Sequence, residues 1–150
     1  MKAILQRCRM ASVIADGVPA GKIGHGLFIL LGVIKGDDEK DADVLAEKIS
    51  KLRIFDDADG KLNLSVKDVG GGALVVSNFT LGADYRKGNR PDYFMAEAPA
   101  RANDLYEYFS DALRGRGIHT ENGVFGAEMK ISLEADGPVT IDMDSTVLKK

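Results

Sequence analysis

Two short polar stretches are the places where this sequence could carry chemistry. SNFTL, residues 77–81, follows the apolar run ALVV with polar side chains on both sides of a phenylalanine. DGPVT, residues 136–140, puts a Gly-Pro step near the far end of the chain. Hydroxyl and amide side chains at the end of a buried strand either cap a turn or line a functional site. The second alternative deserves testing because binding and catalytic residues are frequent in the loops that follow scaffold elements.

The residue sets that usually carry catalysis are otherwise sparse. His25 and His119 have no Cys or His near them at metal-ligand spacing, which argues against zinc, and surface histidines are the favoured interpretation. No G-x-S-x-G or H-E-x-x-H motif is present, and no spacing requires a Ser-His-Asp triad. Asp57-Ala58-Asp59-Gly60 lacks the remaining ligands of a calcium loop. We therefore expect no metal and no cofactor, and any enzyme here is expected to avoid an activated side-chain nucleophile.

Composition limits the class of protein. The 150 residues suit one domain, residues 1–150, and the formal charge of −3 argues mildly against general nucleic-acid binding. The only cysteine, Cys8, cannot form an internal disulfide, so a cytoplasmic protein with a buried thiol is expected. The longest apolar run, GLFILLGVI, is shorter than the about 20 residues that span a bilayer, and no signal peptide or membrane segment is expected.

The elements predicted from pattern are several strands and two helices. Apolar periodicity places helices over about 40–53 and 99–114, the first opening with the acidic run Asp37 to Asp41 that suits a helix N-terminus. Strands are predicted at 2–8, 12–15, 18–23, 26–34 and 73–81, and at 127–134 and 138–143 around a turn at Asp136-Gly137. Because helices and strands do not alternate, the predicted class is α+β, a single domain with a mostly antiparallel sheet or barrel.

The chain resembles the D-aminoacyl-tRNA deacylase (D-tyrosyl-tRNA deacylase) family nearly end to end. The similarity runs through MKAILQRCRMASV, GLFILLGVIKGD, KLRIFDDADGKLNLSVKDVGG, ADYRKGNRPDYF and FGAEMKISLEADGPVT. SNFTL and DGPVT match the family's two signature motifs, S-Q-F-T-L and [ND]-G-P-V-T. The resemblance implies a cytoplasmic homodimer that hydrolyses the ester between a D-amino acid and the 3′-terminal adenosine of its tRNA.

For DGPVT, the resemblance implies a cis peptide between Gly137 and Pro138 that reaches into the partner's pocket. Taken alone, the dipeptide would be a simple turn. Two main-chain carbonyls there would accept hydrogen bonds from the substrate's α-ammonium group. With the ester carbonyl also held, a D-side chain would point outward and an L-side chain would collide with the Gly-Pro wall. Mischarged glycyl-tRNA is then expected to pass as a substrate.

For SNFTL, the resemblance implies a catalytic role for Ser77, Phe79 and Thr80. The amides of Phe79 and Thr80 would lie near the ester carbonyl and stabilise the developing oxyanion. The Thr80 hydroxyl is the obvious nucleophile, but no base lies near it in sequence. The favoured alternative is that the 2′-hydroxyl of the terminal adenosine assists attack by water.

Further substrate-binding residues follow from the same resemblance. Asn78 stands where the family usually has Gln, keeping the amide on a chain one methylene shorter, and activity is expected to survive. Arg7 would hold the Gly-Pro loop and Met129 would line the pocket, although a surface ion pair and a core methionine are the ordinary interpretations. Lys87 and Arg90 are candidates for tRNA phosphates or for a solvated turn. The alternative function is a non-catalytic nucleic-acid-associated binding module on the same fold.

Overall fold

The computed structural model describes residues 1–149. Those residues form eight strands and two α-helices, together with short 3-10 helices at Phe79–Gly82 and Ser145–Val147. In chain order the elements are β1 Lys2–Ala15, β2 Val18–Ile23, β3 Gly26–Gly32, α1 Glu39–Lys51, β4 Phe55–Asp56, β5 Leu62–Leu64, β6 Gly72–Ser77, α2 Pro99–Gly115, β7 Thr120–Asn122 and β8 Met129–Asp144.

The long strand β1 organises the sheet. Along one edge it pairs with β8 over its whole length, from Lys2 to Ala15. A strand has only two edges, so β3 and β2 share the other one, β3 beside residues 2–8 and β2 beside residues 11–15. The prediction of separate strands at 2–8 and 12–15 was therefore wrong, because continuous pairing to β8 carries β1 through the polar residues between them.

The sheet continues from β1 to β3, β6 and β7. All β1 pairings are antiparallel, whereas β3–β6 and β6–β7 are parallel. β2 curls back toward β6 and β7, and Gly21 allows this approach because a Cβ there would lie 2.6 Å from the Asn122 carbonyl oxygen. The predicted α+β class, a single barrel-like sheet with two helices, is confirmed.

Both helices lie where the sequence places them, with ends shifted by one or two residues. Asp38 caps α1 by accepting from the amides of Lys40 and Asp41, so the acidic run is a helix start, as predicted. α2 begins with Pro99 at its first position, where the missing N–H costs nothing. No helix within residues 1–149 is long and apolar enough to cross a membrane.

Two apolar clusters form the core of the described residues. The larger one lies between the helices and the sheet and includes Leu5, Ile29, Leu45 and Phe109, all at most 1% exposed. The smaller one lies within the curl of β1, β2 and β6 and contains Cys8. Burial raises the pKa of the Cys8 thiol to about 11, so the thiol stays protonated at neutral pH and packs as a small hydrophobe, as predicted.

β8 is one strand rather than the predicted pair. The turn expected at Asp136-Gly137 is a bulge: Gln6 pairs with Thr140 and Cys8 with Ala135, so four residues, 136–139, stand opposite Arg7 alone. Residues such as Asp, Gly and Pro mark hairpin turns and bulges alike. The sequence could not distinguish them because the deciding partner, β1, lies at the other end of the chain.

The buried carboxylate of Asp41 in α1 binds residues that follow β8. Asp41, 1% exposed, accepts hydrogen bonds from the Ser145 hydroxyl at 2.6 Å, the Asp38 amide at 2.9 Å and the Lys149 ammonium at 3.1 Å. Burial alone would raise the pKa of Asp41, but these donors outweigh it and lower the pKa to about 2.

This lowered pKa predicts a pH dependence of stability. Because the folded pKa lies below the unfolded value of about 4, Asp41 stabilises the fold above pH ~4 and loses that contribution as the pH falls toward ~2. Asp41→Asn is expected to lower the free energy of unfolding at pH 7 by about 2 kcal/mol and to flatten its slope between those pH values. Urea unfolding across pH measures both. The exposed turn variant Asp59→Asn is the control and is expected to change neither.

Candidate active site

SNFTL lies at a junction between a strand and a 3-10 helix. β6 ends at Ser77, beside Leu31 of β3, and the helix Phe79–Gly82 begins two residues later. The predicted strand over 73–81 therefore ended too late. Asn78 is itself extended, and the strand stops there because its side chain caps the helix that begins at Phe79, a role that Asn fills well.

The side-chain oxygen of Asn78 is bound to Thr80. Asn78 Oδ1 accepts from the Thr80 amide at 3.2 Å and from the Thr80 hydroxyl. The Thr80 N–H is therefore already hydrogen-bonded. Of the two amides predicted to stabilise the oxyanion, those of Phe79 and Thr80, only the Phe79 N–H remains available. Within the part of the chain that the structure describes, the Phe79 N–H has no hydrogen-bond acceptor, so it is a free donor.

A cavity of about 760 Å³ opens beside this junction. Its volume falls within the roughly 300–1,000 Å³ typical of small-ligand sites. The predicted site residues Ser77, Asn78, Phe79 and Met129 all line it. The remaining lining residues come from the turn after β3, from the segment that leads into the first turn of α2, and from the approach to β8: Val33, Lys35, Tyr93, Phe94, Ala96, Glu97, Ala98, Pro99, Ala102, Phe125, Gly126 and Ala127.

Aromatic side chains form the rim of the cavity. Phe79 and Tyr93 meet edge to face with their ring centroids 5.0 Å apart. The Lys35 ammonium lies 3.6 Å from the centroid of the Phe94 ring. Phe79 is 58% exposed and Phe94 73%, so each ring leaves part of its surface open to a ligand. Sequence reasoning missed Lys35, Tyr93 and Phe94; aromatic residues within a polar, turn-rich segment were the available signal.

The Gly-Pro motif lies in the bulge of β8, outside this cavity. The Gly137–Pro138 peptide is cis, as the resemblance implied. Gly137 has φ +132°, and an added Cβ would lie 2.7 Å from the Val139 amide nitrogen and 3.0 Å from its Cγ2. Only glycine fits there without strain.

Arg7 supports the bulge from β1. Its side chain is 6% exposed and donates from Nε to the Asp136 carbonyl oxygen at 3.1 Å and from Nη1 to the Ile54 carbonyl oxygen at 3.1 Å. The Asp136 carboxylate lies 3.4 Å from Nε. Arg7 thus occupies the gap that the bulge leaves in the ladder and fixes the residue before Gly137.

Within a single chain the predicted residues therefore fall into two groups. Ser77, Asn78, Phe79 and Met129 surround the cavity, whereas Gly137 and Pro138 do not line it, and Arg7 lies with them. Met129 also packs against the smaller apolar cluster, so it is both a core and a cavity residue. Thr80 is exposed and touches the site only through Asn78.

Ionisable groups are few around the cavity. Those among its described lining residues are Lys35, Glu97 and the phenol of Tyr93. The Glu97 carboxylate accepts from the Ala98 amide at 2.7 Å, at the start of α2. Within residues 1–149 no cluster of three or more His, Cys, Asp or Glu side chains is arranged to hold a metal ion. Backbone groups and aromatic faces dominate what this cavity offers to a ligand.

The family model described as D-Tyr-tRNA(Tyr) deacylase matches residues 4–144. The chain belongs to this family. Proteins named D-aminoacyl-tRNA deacylase from Ruegeria pomeroyi and Chloroflexus aurantiacus are each 54% identical to it. Those alignments cover 96% of this chain and 99% of the Ruegeria protein, and 99% of this chain and 93% of the Chloroflexus protein. The family resemblance inferred from SNFTL and DGPVT is confirmed.

Solved structures agree with the deacylase-family fold. One described as c-Myc DNA Unwinding Element Binding Protein is 39% identical, with a TM-score of 0.89 over 96% of this chain and 98% of that one. Another, described as a probable eukaryotic D-amino acid tRNA deacylase, has a TM-score of 0.81 at 16% identity, over 95% of this chain and 97% of that one. The second likeness concerns the fold alone.

Proposed function

We propose that this protein hydrolyses the ester bond of D-aminoacyl-tRNA, releasing the free D-amino acid and tRNA. The observation that carries the proposal is the free Phe79 N–H at the edge of an aromatic-rimmed cavity, in a chain 54% identical to proteins named D-aminoacyl-tRNA deacylase. Ester hydrolysis places a negative charge on the carbonyl oxygen when the carbonyl carbon is attacked, and a rigid backbone amide supplies a hydrogen-bond donor for that oxyanion.

The cavity suits the end of an aminoacylated tRNA. A terminal adenosine is expected to stack on the exposed rings at the rim, as unpaired bases stack on aromatic side chains in RNA-binding proteins. Phe79 and Phe94 present such faces, and the Lys35 ammonium above Phe94 adds a positive charge suited to the phosphate backbone. The amino acid would enter the cavity beside Ser77 and Met129.

Attack on the ester carbonyl is assigned to water assisted by the 2′-hydroxyl of the adenosine. The Thr80 hydroxyl donates its proton to Asn78 Oδ1, and a neutral amide oxygen is too weak a base to take that proton away. A threonine held in this way stays protonated and is a poor nucleophile. The 2′-hydroxyl adjoins the ester in every substrate, so it needs no positioning by the protein.

Chiral selection is assigned to Gly137 and Pro138 of a partner subunit in a homodimer. The bulge leaves residues 136–139 with only Arg7 opposite them, so main-chain groups there are not committed to the sheet. Two carbonyls from this bulge would hold the substrate's α-ammonium, and the backbone around them would exclude an L-side chain. Glycine has no side chain to exclude, so glycyl-tRNA is an expected second substrate.

We further propose that the homodimer works in the cytoplasm, where charged tRNAs are used. The lone buried Cys8 is consistent with a reducing compartment. Light scattering of the purified protein gives the oligomeric state, and cell fractionation gives the location. A monomer that hydrolyses D-tyrosyl-tRNA at full rate would overturn the cross-subunit site.

The activity itself is tested by release of labelled amino acid from D-tyrosyl-, L-tyrosyl- and glycyl-tRNA. We expect the D-ester to be cleaved at least about 100-fold faster than the L-ester, a discrimination of roughly 3 kcal/mol that a steric clash readily supplies. Glycyl-tRNA is expected to be cleaved as well. Equal rates on the two tyrosyl enantiomers would contradict the proposed selection.

A second candidate function is nucleic-acid binding without catalysis. The 39% identical structure described as a DNA unwinding element binding protein is the observation in its favour. A filter-binding assay with unpaired DNA and with D-tyrosyl-tRNA separates the two functions. A pure binder would retain both nucleic acids and leave the aminoacyl ester intact.

A further inference from the structure

Asn78 is held in place through both its main chain and its side chain. Its main-chain N–H donates to the Leu31 carbonyl oxygen at 2.8 Å, and its main-chain carbonyl oxygen accepts from the Leu81 N–H at 3.3 Å. Its side-chain oxygen holds both the amide and the hydroxyl of Thr80. Because the Thr80 N–H can only donate, the atom facing it is the oxygen of the Asn78 amide, which fixes the orientation of that group.

These contacts determine where the Phe79 N–H points. Phe79 lies between Asn78 and Thr80, and both are fixed: Asn78 to β3, and Thr80 to the side chain of Asn78. The peptide between Asn78 and Phe79 therefore has little freedom to turn. A donor aimed at a developing charge stabilises it most when it does not have to reorient during the reaction.

We infer that Asn78 is a positioning residue, whose side-chain oxygen caps the 3-10 helix and thereby holds the Phe79 N–H toward the reacting carbonyl. The inference rests on the proposed deacylase function and deepens it. Asn78 then contributes to the rate through its hydrogen bond to Thr80, and not through direct contact between its side-chain amide and the substrate. Asn is well suited to this task, since its short side chain reaches the amide two residues ahead.

The role of the cap in catalysis is tested by replacing Asn78 with one residue that cannot cap the helix and with two that can. Asn78→Ala removes the oxygen and is expected to lower kcat on D-tyrosyl-tRNA about five- to tenfold, with KM within about twofold. Asn78→Ser and Asn78→Asp keep an N-cap oxygen without an amide, and both are expected to keep kcat within about twofold of wild type. For the Asp variant only kcat is compared, because its charge repels the tRNA phosphates and raises KM.

A double-mutant cycle with Thr80 tests whether Asn78 acts through its cap. Thr80→Val removes the hydroxyl and keeps the amide. If the cap carries the effect, Asn78→Ala and Thr80→Val are expected to combine to less than the product of their separate losses, as residues in one hydrogen-bonded unit do. A Thr80→Val loss that is just as large in the Asn78→Ala background as in the wild type would contradict the coupling.

An NMR readout keeps the inference separate from the proposed function. The Thr80 amide resonance is expected to shift in Asn78→Ala and to stay near its wild-type position in Asn78→Ser. This comparison is informative even if the wild-type protein releases no amino acid, the result that would refute the deacylase proposal. The positioning role would be overturned if Asn78→Ser and Asn78→Asp were as slow as Asn78→Ala while their Thr80 amide resonance stayed at its wild-type position. The cap would then be intact and activity would still be lost.

Discussion

Phe79→Pro is expected to lower kcat on D-tyrosyl-tRNA about 100-fold more than Phe79→Ala does. Proline has no N–H, so the substitution deletes the Phe79 amide donor at the edge of the cavity. Removal of a single oxyanion donor typically costs about 100- to 1,000-fold in kcat. Phe79→Ala keeps the N–H and loses only the ring, so the ratio of the two variants isolates the backbone donor.

The local backbone accommodates this proline. Phe79 is the first residue of the 3-10 helix, a position where proline's fixed φ is favourable and no intrahelical bond is lost. The residue before it, Asn78, has φ −142° and ψ 93°, outside the α region that a following proline disfavours. Thermal melts of both variants are therefore expected to agree within a few degrees. Equal kcat values for the Pro and Ala variants would remove Phe79 from the oxyanion site.

Much of the fold could be predicted because its signals are local. The stripe Ala42, Leu45 and Ile49 and the acidic start of α1 depend only on neighbours along the helix, and the structure confirms them. The burial of Cys8 followed from its apolar surroundings. Where the outcome depended on a distant partner, the prediction was wrong: the pairing of β1 with β8 turned an expected turn into a bulge.

The candidate site divides in the same way. Ser77, Asn78, Phe79 and Met129 were proposed from motifs, and they share one cavity. The role of the Asn78 oxygen was missed, although Asn before a short helix is a common cap and the residue type carried the signal. Lys35 and Phe94 were missed because their meeting at the rim depends on how the segment before α2 folds back over β3.

Gly137→Ala is expected to reduce hydrolysis of D-tyrosyl-tRNA by about 100-fold or more, while the protein stays folded. A Cβ at φ +132° is strained by itself, and it would also lie 2.7 Å from the Val139 amide nitrogen and 3.3 Å from Arg7 Nη2. The bulge must then move away from Arg7, and the carbonyls proposed to hold the α-ammonium move with it. A misplacement of about 1 Å at a reacting centre can cost about 100-fold in rate.

Gly60→Ala is the matched control for backbone strain. Gly60 also has a positive φ, +74°, but a Cβ there meets nothing within 4 Å, and it lies in the β4–β5 turn, outside the residues that line the cavity. It is expected to lower stability by about 1 kcal/mol and to leave kcat/KM unchanged. A comparable loss of activity in both variants would show that Gly137→Ala acts through general destabilisation.

Mixed dimers of the two variant chains test the proposed homodimer and the sharing of its site between subunits. Consider a dimer that pairs a Gly137→Ala chain with a Phe79→Pro chain. The cavity of the Gly137→Ala chain keeps its Phe79 N–H and receives an intact Gly137 from its partner. The cavity of the Phe79→Pro chain has neither. Two-fold symmetry therefore predicts about half the wild-type activity for heterodimers purified through two different tags, although each parent homodimer is nearly inactive. If Gly137 served the cavity of its own chain, both sites of the mixed dimer would be broken and no activity would return. The separation of Gly137 from the cavity residues within one protomer makes restored activity the expected result.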